Sequence, residues 1–178
     1  IAPASHASRE IPVWTSQGPD QDPGGHHRAL GYGALGSSQM ILLDTHVLVW
    51  LDTDDRRLGP NTRALIETHW STGKVAVSAV SFWEVGRLSG RGRIALASSP
   101  QDWRARWIEA GLTELALDGA TAIRSLDLDG LSDDPADRFI AATALIHAAI
   151  LVTADQRMLD WRHTLTRQGC VSLNPSSR

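Results

Sequence analysis

From residue 40 onward, short unbroken apolar runs alternate with helix-length stretches in which apolar residues recur every three or four positions. That alternation is the signature of βαβ units and a parallel sheet. It predicts strands near 40–44, 75–78, 113–117, 149–153 and 170–173. Helices are expected over Thr45 to Leu51, Asn61 to Trp70, Ala79 to Ser89, Pro100 to Ala110, Gly119 to Leu126 and Pro135 to Ala148, with a short turn near Asp155 to Leu159. The clearest start belongs to the helix from Pro135. Asp134 stands at its N-cap, Pro135 at its first position and Asp137 in its first turn, ahead of an Ala-rich body carrying Phe139, Ile140, Thr143, Leu145 and Ile146.

Residues 1–39 lack this pattern. Pro3, Pro12, Pro19 and Pro23 interrupt any periodicity, Gly24-Gly25 and the glycines from Gly31 to Gly36 loosen it, and apolar clustering is sparse. The segment is expected to be a disordered tail, with Met40 as the native start and one domain over 40–178. His26-His27 in that tail is expected to face solvent rather than bind a metal.

Composition narrows the setting. A chain of 178 residues is long enough for one domain of ordinary size. The single cysteine, Cys170, forms no internal disulfide, and no leader-like segment is apparent, so a cytosolic setting is expected. No run approaches the roughly 20 apolar residues of a spanning helix. The net charge of -3 argues against indiscriminate polyanion binding, but its distribution is uneven. Arg87, Arg91, Arg93, Arg104 and Arg106 face a lone acid, Asp102, whereas the span from Asp118 to Asp137 holds six aspartates against Arg124.

Four acids stand where an α/β nuclease needs them. Asp44 closes the run Ile41-Leu42-Leu43, and Asp155 follows the strand-like run ending in Thr153-Ala154. Glu84 and Asp137 lie early in their helices. Ligands of open parallel sheets bind outside the carboxyl ends of the strands, so all four can meet in one crevice if the two helices flank the central strands. Carboxylates without Cys or His suit magnesium or manganese, which favours oxygen ligands and keeps several waters. Such a site performs metal-assisted phosphodiester hydrolysis. Crowded acids without the cation should leave the site poorly ordered or show at least one raised carboxyl pKa.

Each acid also has a plainer reading. Ser81 and Glu84 have capping-box spacing, Asp137 can complement a helix dipole, and Asp155 can cap the following turn. Asp44 is harder to dismiss, because a strand-end aspartate is expensive to desolvate without partners or a ligand. His46 reads as a packed or capping histidine. Trp50, Trp83, Trp103, Trp107 and Trp161 read mostly as core rather than as base-stacking platforms. Arg87, Arg91 and Arg93 are candidate phosphate contacts.

The segments Leu42-Leu43-Asp44-Thr45, Ser78 to Val85, Asp134 to Ala144 and Leu151 to Asp155 together resemble the PIN-domain family, and more narrowly its VapC-type toxins. The resemblance runs from Met40 to about Leu173. It implies an α/β/α sandwich with a short parallel sheet, and an acidic pocket that binds Mg2+ or Mn2+ and cleaves single-stranded or loop RNA. Asp44 and Asp137 would be the principal metal ligands, completed by Glu84 and Asp155, with Thr45 and Thr153 orienting carboxylates. A homodimer held inactive by a cognate antitoxin is also implied. Ser132-Asp133 makes the region more acidic than expected beside an RNA groove.

Two other readings compete. One is a PIN-fold module that captures RNA or a protein without turnover, which unchanged RNA binding with no cleavage at any divalent ion would favour. The other is an aspartyl-phosphate phosphatase, which Asp44-Thr45-His46 disfavours because no second aspartate stands two positions on.

Overall fold

Five short strands pair in parallel in the order β3-β2-β1-β4-β5: β1 (Ile41–Leu43), β2 (Val75–Ser78), β3 (Thr113–Leu115), β4 (Ile150–Thr153) and β5 (Arg167–Gly169). The computed structural model describes residues 39–163 and 165–169. Parallel neighbours need crossovers. These are supplied by α1 (Thr45–Asp52) and α2 (Pro60–Trp70), α3 (Ala79–Gly90) and α4 (Pro100–Glu109), α5 (Gly119–Arg124) and α6 (Pro135–Ile146), and α7 (Gln156–Asp160).

Strand periodicity divides the apolar side chains between two cores. Ile41, Leu43, Val75, Val77, Ile150 and Val152 pack on one side, against Val47, Leu48 and Leu51 of α1, Ile66 of α2, Phe82 and Val85 of α3, and Trp103 and Trp107 of α4. Leu42, Ala76 and Leu151 point the other way, onto Ile140, Ala141 and Ala144 of α6, Met158 of α7 and Trp161. The result is the expected three-layer α/β/α sandwich.

Register sets the position of the site. Leu43 lies beside Val77 of β2 and Val152 of β4, so β1, β2 and β4 end level with one another. The chain builds β1, β2 and β3 outward in one direction, then returns so that β4 pairs on the other side of β1. Between β1 and β4 the order reverses, and their carboxyl ends splay into the crevice where open α/β sheets place ligands.

Several expectations need adjustment. The last described strand lies at Arg167–Gly169, earlier than expected, while 170–173 lies outside the described residues, as do the tail before Gln39, with His26-His27, and Cys170. Helix α6 stops at Ile146 rather than Ala148, because Ala148 takes a left-handed φ of 48° and Ala149 N–H turns back to Ala144 O at 2.9 Å. Helix α5 passes after Arg124 into a 3-10 turn at Ser125–Asp127. Among the described residues no helix is long and apolar enough to cross a membrane.

Leu42 is fully buried in the central strand. Leu42→Ala is expected to lower unfolding free energy by about 3 kcal/mol in urea denaturation. A loss below about 1 kcal/mol would show that the central strand does not carry the second core.

Candidate active site

Asp44 follows β1 directly, caps α1 and is 4% exposed. A buried carboxylate is tolerated only when its oxygens are satisfied. Its Oδ1 accepts from Thr45 N–H at 2.6 Å, and its Oδ2 accepts from the Thr153 hydroxyl at 2.6 Å. His46 Nδ1 stands 3.4 Å from the same Oδ2. The imidazole is oriented from its far side, where Nε2 accepts from Ala154 N–H at 2.8 Å, so the ring proton lies on Nδ1, toward Asp44. Packing and orientation are thus the role His46 shows.

Thr153 ends β4 and couples two acids. Besides donating to Asp44, its hydroxyl oxygen accepts from Asp155 N–H at 3.0 Å. Asp155 in turn caps α7, accepting from Arg157 N–H at 2.8 Å. The expected orienting role of Thr153 therefore has a direct geometric counterpart. Thr45 Oγ1 is buried without a hydrogen-bond partner of ordinary geometry, although it lies close enough to Glu84 to favour the ionised acid.

Glu84 is not a cap. Helix α3 starts at Ala79 with Ser78 as its N-cap, whereas Ser81 is a helical residue whose hydroxyl is buried without a partner among the described residues. The capping-box reading fails because the helix begins three residues before it requires. Ser78 Oγ also lies 3.2 Å from Thr143 Oγ1, fastening the start of α3 to the middle of α6. That contact brings together the helices that carry Glu84 and Asp137.

Burial raises the Glu84 pKa; Thr45 opposes the rise, and the negative charges of Asp44 and Asp134 add to it. Asp137 is raised to about 6, again by burial first; its hydrogen bond to Ser132 works against that, and Asp44, Asp134 and Asp155 push it further up. Three neighbouring acids acting on one carboxyl is the electrostatic mark of a crowded anionic pocket.

Asp44, Glu84, Asp137 and Asp155 all line one cleft of ≈ 460 Å³ at the carboxyl ends of β1 and β4. Asp134 lines it too, while accepting from Ala136 N–H as the α6 cap. Of the candidate phosphate contacts, Arg93 reaches the cleft; Arg87 instead lies over the Trp83 ring, 4.5 Å from its centroid, and Arg91 is an exposed residue at the end of α3. Arg104 pairs with Glu114 and Arg106 with Asp52. Arg57, Arg157 and Trp50 line the cleft without having been singled out for it. Arg57 sits in a loop and Arg157 in a five-residue helix, where no periodicity marks a facing side, whereas Trp50, read as core, stands near the end of α1 and lines the cleft. Trp103, Trp107 and Trp161 are core as expected, whereas Trp83 is 53% exposed.

The donor set consists of carboxylate oxygens, which suits a hard divalent cation, and burial together with neighbouring acids raises the pKa of Glu84 and Asp137. Among the described residues no three acidic, His or Cys side chains stand close enough to form a ready cage. Magnesium does not need one, since it binds through one or two carboxylates and retains waters. The residues therefore fit a hydrated hard cation and not a closed structural metal site.

The family model described as PIN domain matches residues 41–162. Ribonuclease VapC22 of Mycobacterium tuberculosis (strain ATCC 25618 / H37Rv) is 35% identical over 127 residues, covering 69% of this chain and 92% of the relative. Among solved structures, VapBC2 from Rickettsia felis bound to a DNA fragment from its promoter superposes with a TM-score of 0.55 at 14% identity, over 73% of this chain and 98% of that one. DNA-bound VapBC from Salmonella typhimurium gives a TM-score of 0.55 at 17% identity, over 74% and 98%. At these identities the two structures speak to the fold alone.

The raised pKa of Asp137 has a thermodynamic sign. Its folded value of about 6 exceeds the ordinary 3.8, so its contribution to stability is fully present below 3.8 and is lost as pH rises through 6. Asp137→Asn removes the charge. Without divalent ions it should stabilise the protein by about 1–2 kcal/mol at pH 7.5, after allowance for partial exposure, and by roughly half as much at pH 5. Urea denaturation at the two pH values tests this, and an equal or larger gain at pH 5 would contradict the charge-crowded pocket.

Proposed function

The chain belongs to the PIN domain family, and on that premise we propose that it is a metal-dependent endoribonuclease, the toxin of a toxin-antitoxin pair. The observation that carries this reading is the convergence of four acids from four separate parts of the chain on one cleft at the switch point of the sheet. The name of the ribonuclease relative supports the reaction class. We place the nuclease domain over residues 40–178, the span containing the family match.

Asp44 and Asp137 are proposed as principal ligands of Mg2+ or Mn2+, with Glu84 and Asp155 completing the pocket. When bound, such an ion supplies an activated water and neutralises charge on the phosphodiester. The protein side chains do the positioning. Thr153 and Thr45 N–H hold Asp44 in one orientation, and His46 shields its inner oxygen. Asp137, raised to about 6 in the metal-free protein, would be ionised as a ligand once a cation offsets the neighbouring acids. Arg93 and Arg157 on the cleft wall offer positive charge to the RNA backbone.

An antitoxin partner is proposed from the resemblance to VapC-type toxins, in line with the ribonuclease VapC22 relative. A homodimer is proposed as well. An apolar hollow of ≈ 310 Å³ lined by Ala79, Val80, Trp83, Leu117 and Phe139 lies outside the acid cleft, and its exposed Trp83 and Leu117 are the kind of surface that a second copy covers.

Asp44→Asn and Asp137→Asn should each reduce Mg2+- or Mn2+-dependent RNA cleavage on the order of a hundredfold or more while preserving the far-UV spectrum. Full cleavage by both variants would overturn the assignment. In sedimentation equilibrium the wild type should be dimeric and Trp83→Asp monomeric; a monomeric wild type removes the dimer from the proposal.

A further inference from the structure

The loop joining α1 to α2, residues 53–59, is braced far more firmly than an exposed connection needs. Asp55 N–H donates to Trp50 O at 2.9 Å and Leu58 N–H to Asp55 O at 3.1 Å. Arg63 reaches back to Leu58 O and Asp55 O at 3.1 and 2.9 Å, and pairs with Asp54 at 2.9 Å. At the centre of this framework sits Arg57.

Two constraints fix the Arg57 guanidinium. In its plane, Nε and Nη2 form a fork onto both oxygens of Asp55, the shortest contact being 2.6 Å, and Arg57 N–H donates to the same carboxylate. This pairing pulls the Asp55 carboxyl down to about 2. Behind the plane, the guanidinium carbon lies over the Trp50 ring, 4.7 Å from its centroid, and His46 packs against the same indole at 4.9 Å. The side away from the indole stays open, for Arg57 lines the acid cleft and its side chain is 64% exposed.

A solvent-facing arginine usually samples many rotamers, and pairing with one carboxylate gains little. Here a carboxylate fork, an indole backing and a braced loop hold one flat cation at the wall of the cleft. Flat cationic surfaces of this kind stack unpaired nucleobases, which a duplex keeps buried in its own stack. Arg93 and Arg157 differ, since neither is backed by an aromatic ring among the described contacts, and point charges suit phosphate instead.

We propose that Arg57, clamped by Asp55 and backed by Trp50, is a stacking platform for one unpaired base of the RNA next to the scissile phosphate. This rests on the ribonuclease reading of the cleft, which it makes specific for single-stranded substrate. Arg57 binds and positions; it takes no part in the bond-breaking step.

The test compares wild type with Arg57→Lys, which keeps the charge and loses the plane, after matching thermal melting confirms the fold. Short oligoribonucleotides carry an abasic residue at successive positions around the cut. In the wild type one position should lower kcat/KM about tenfold. Arg57→Lys should lose about the same factor on the intact substrate and show no additional loss at that position. Wild-type kcat/KM in Arg57→Lys overturns the platform, as does an abasic loss that persists undiminished in the variant. A second measurement stands apart from turnover: with 2-aminopurine placed at each position in turn, one position should be quenched on binding wild type and not on binding Arg57→Lys. If no RNA is cleaved with Mg2+ or Mn2+, the ribonuclease reading falls, while quenching still decides for or against the platform.

Discussion

The carboxylate of Asp44 is the group on which the site depends. It is almost fully buried at the end of the central strand, where an unsatisfied charge would be costly, and its two oxygens are met by Thr45 N–H and the Thr153 hydroxyl. The second donor is 109 positions away in the chain. It arrives only because β4 returns to pair with β1, where Asp44 N–H also donates to Val152 O at 3.0 Å. Correct register between β1 and β4 and correct satisfaction of the acid are thus one condition. A slip of one residue would turn Thr153 to the opposite face and leave the carboxylate without that donor. Asp155 depends on the same residue through its N–H, so two of the four acids are placed by a single threonine.

Much of this was legible in the sequence because it rests on local patterns. Four of the five expected strands and all six long helices lie at the expected places within a few residues, since apolar alternation, Pro at helix starts and Asp or Ser caps act over a few positions. The four acids were legible because strand ends and helix starts are local features, and parallel topology dictates where such features meet. What escaped was governed by side-chain contacts that periodicity does not report. The two local readings of α3 disagreed, a start at Ala79 against a capping box at Ser81, and Ser78, tied to Thr143, caps the earlier start. Trp83 shares helical spacing with core residues yet faces outward, and its neighbour Arg87 covers it instead of reaching the cleft. Arg57 gave no periodic signal because its position comes from a fork to Asp55 and an indole one loop away.

The electrostatics of the cleft pull against its construction. Packing gathers acids that repel one another, and Asp137 and Glu84 are both pushed toward their neutral forms. Asp44 is held differently, by hydrogen bonds to both of its oxygens. The asymmetry is useful: one carboxylate is rigid and pre-oriented, while those opposite are adjustable in protonation and less tightly bonded. A hydrated cation can then be met by one fixed anchor and by partners that close on it, which reconciles an acid-lined cleft with the lack of a ready three-ligand cage among the described residues.

The same division of labour extends to the cleft wall. Arg57 is locked between Asp55 and Trp50, whereas the Arg157 guanidinium meets Asp155 at 3.4 Å and its side chain is three-quarters exposed. An ordered cation bearing an open flat face and a loosely held one beside it present two kinds of positive surface to one ligand. A nucleic acid strand has two matching parts, flat bases and a flexible charged backbone. On the proposed reading, floor and wall would serve one class of ligand: the acids would hold a hydrated cation, and the arginines would face the bases and phosphates of the strand.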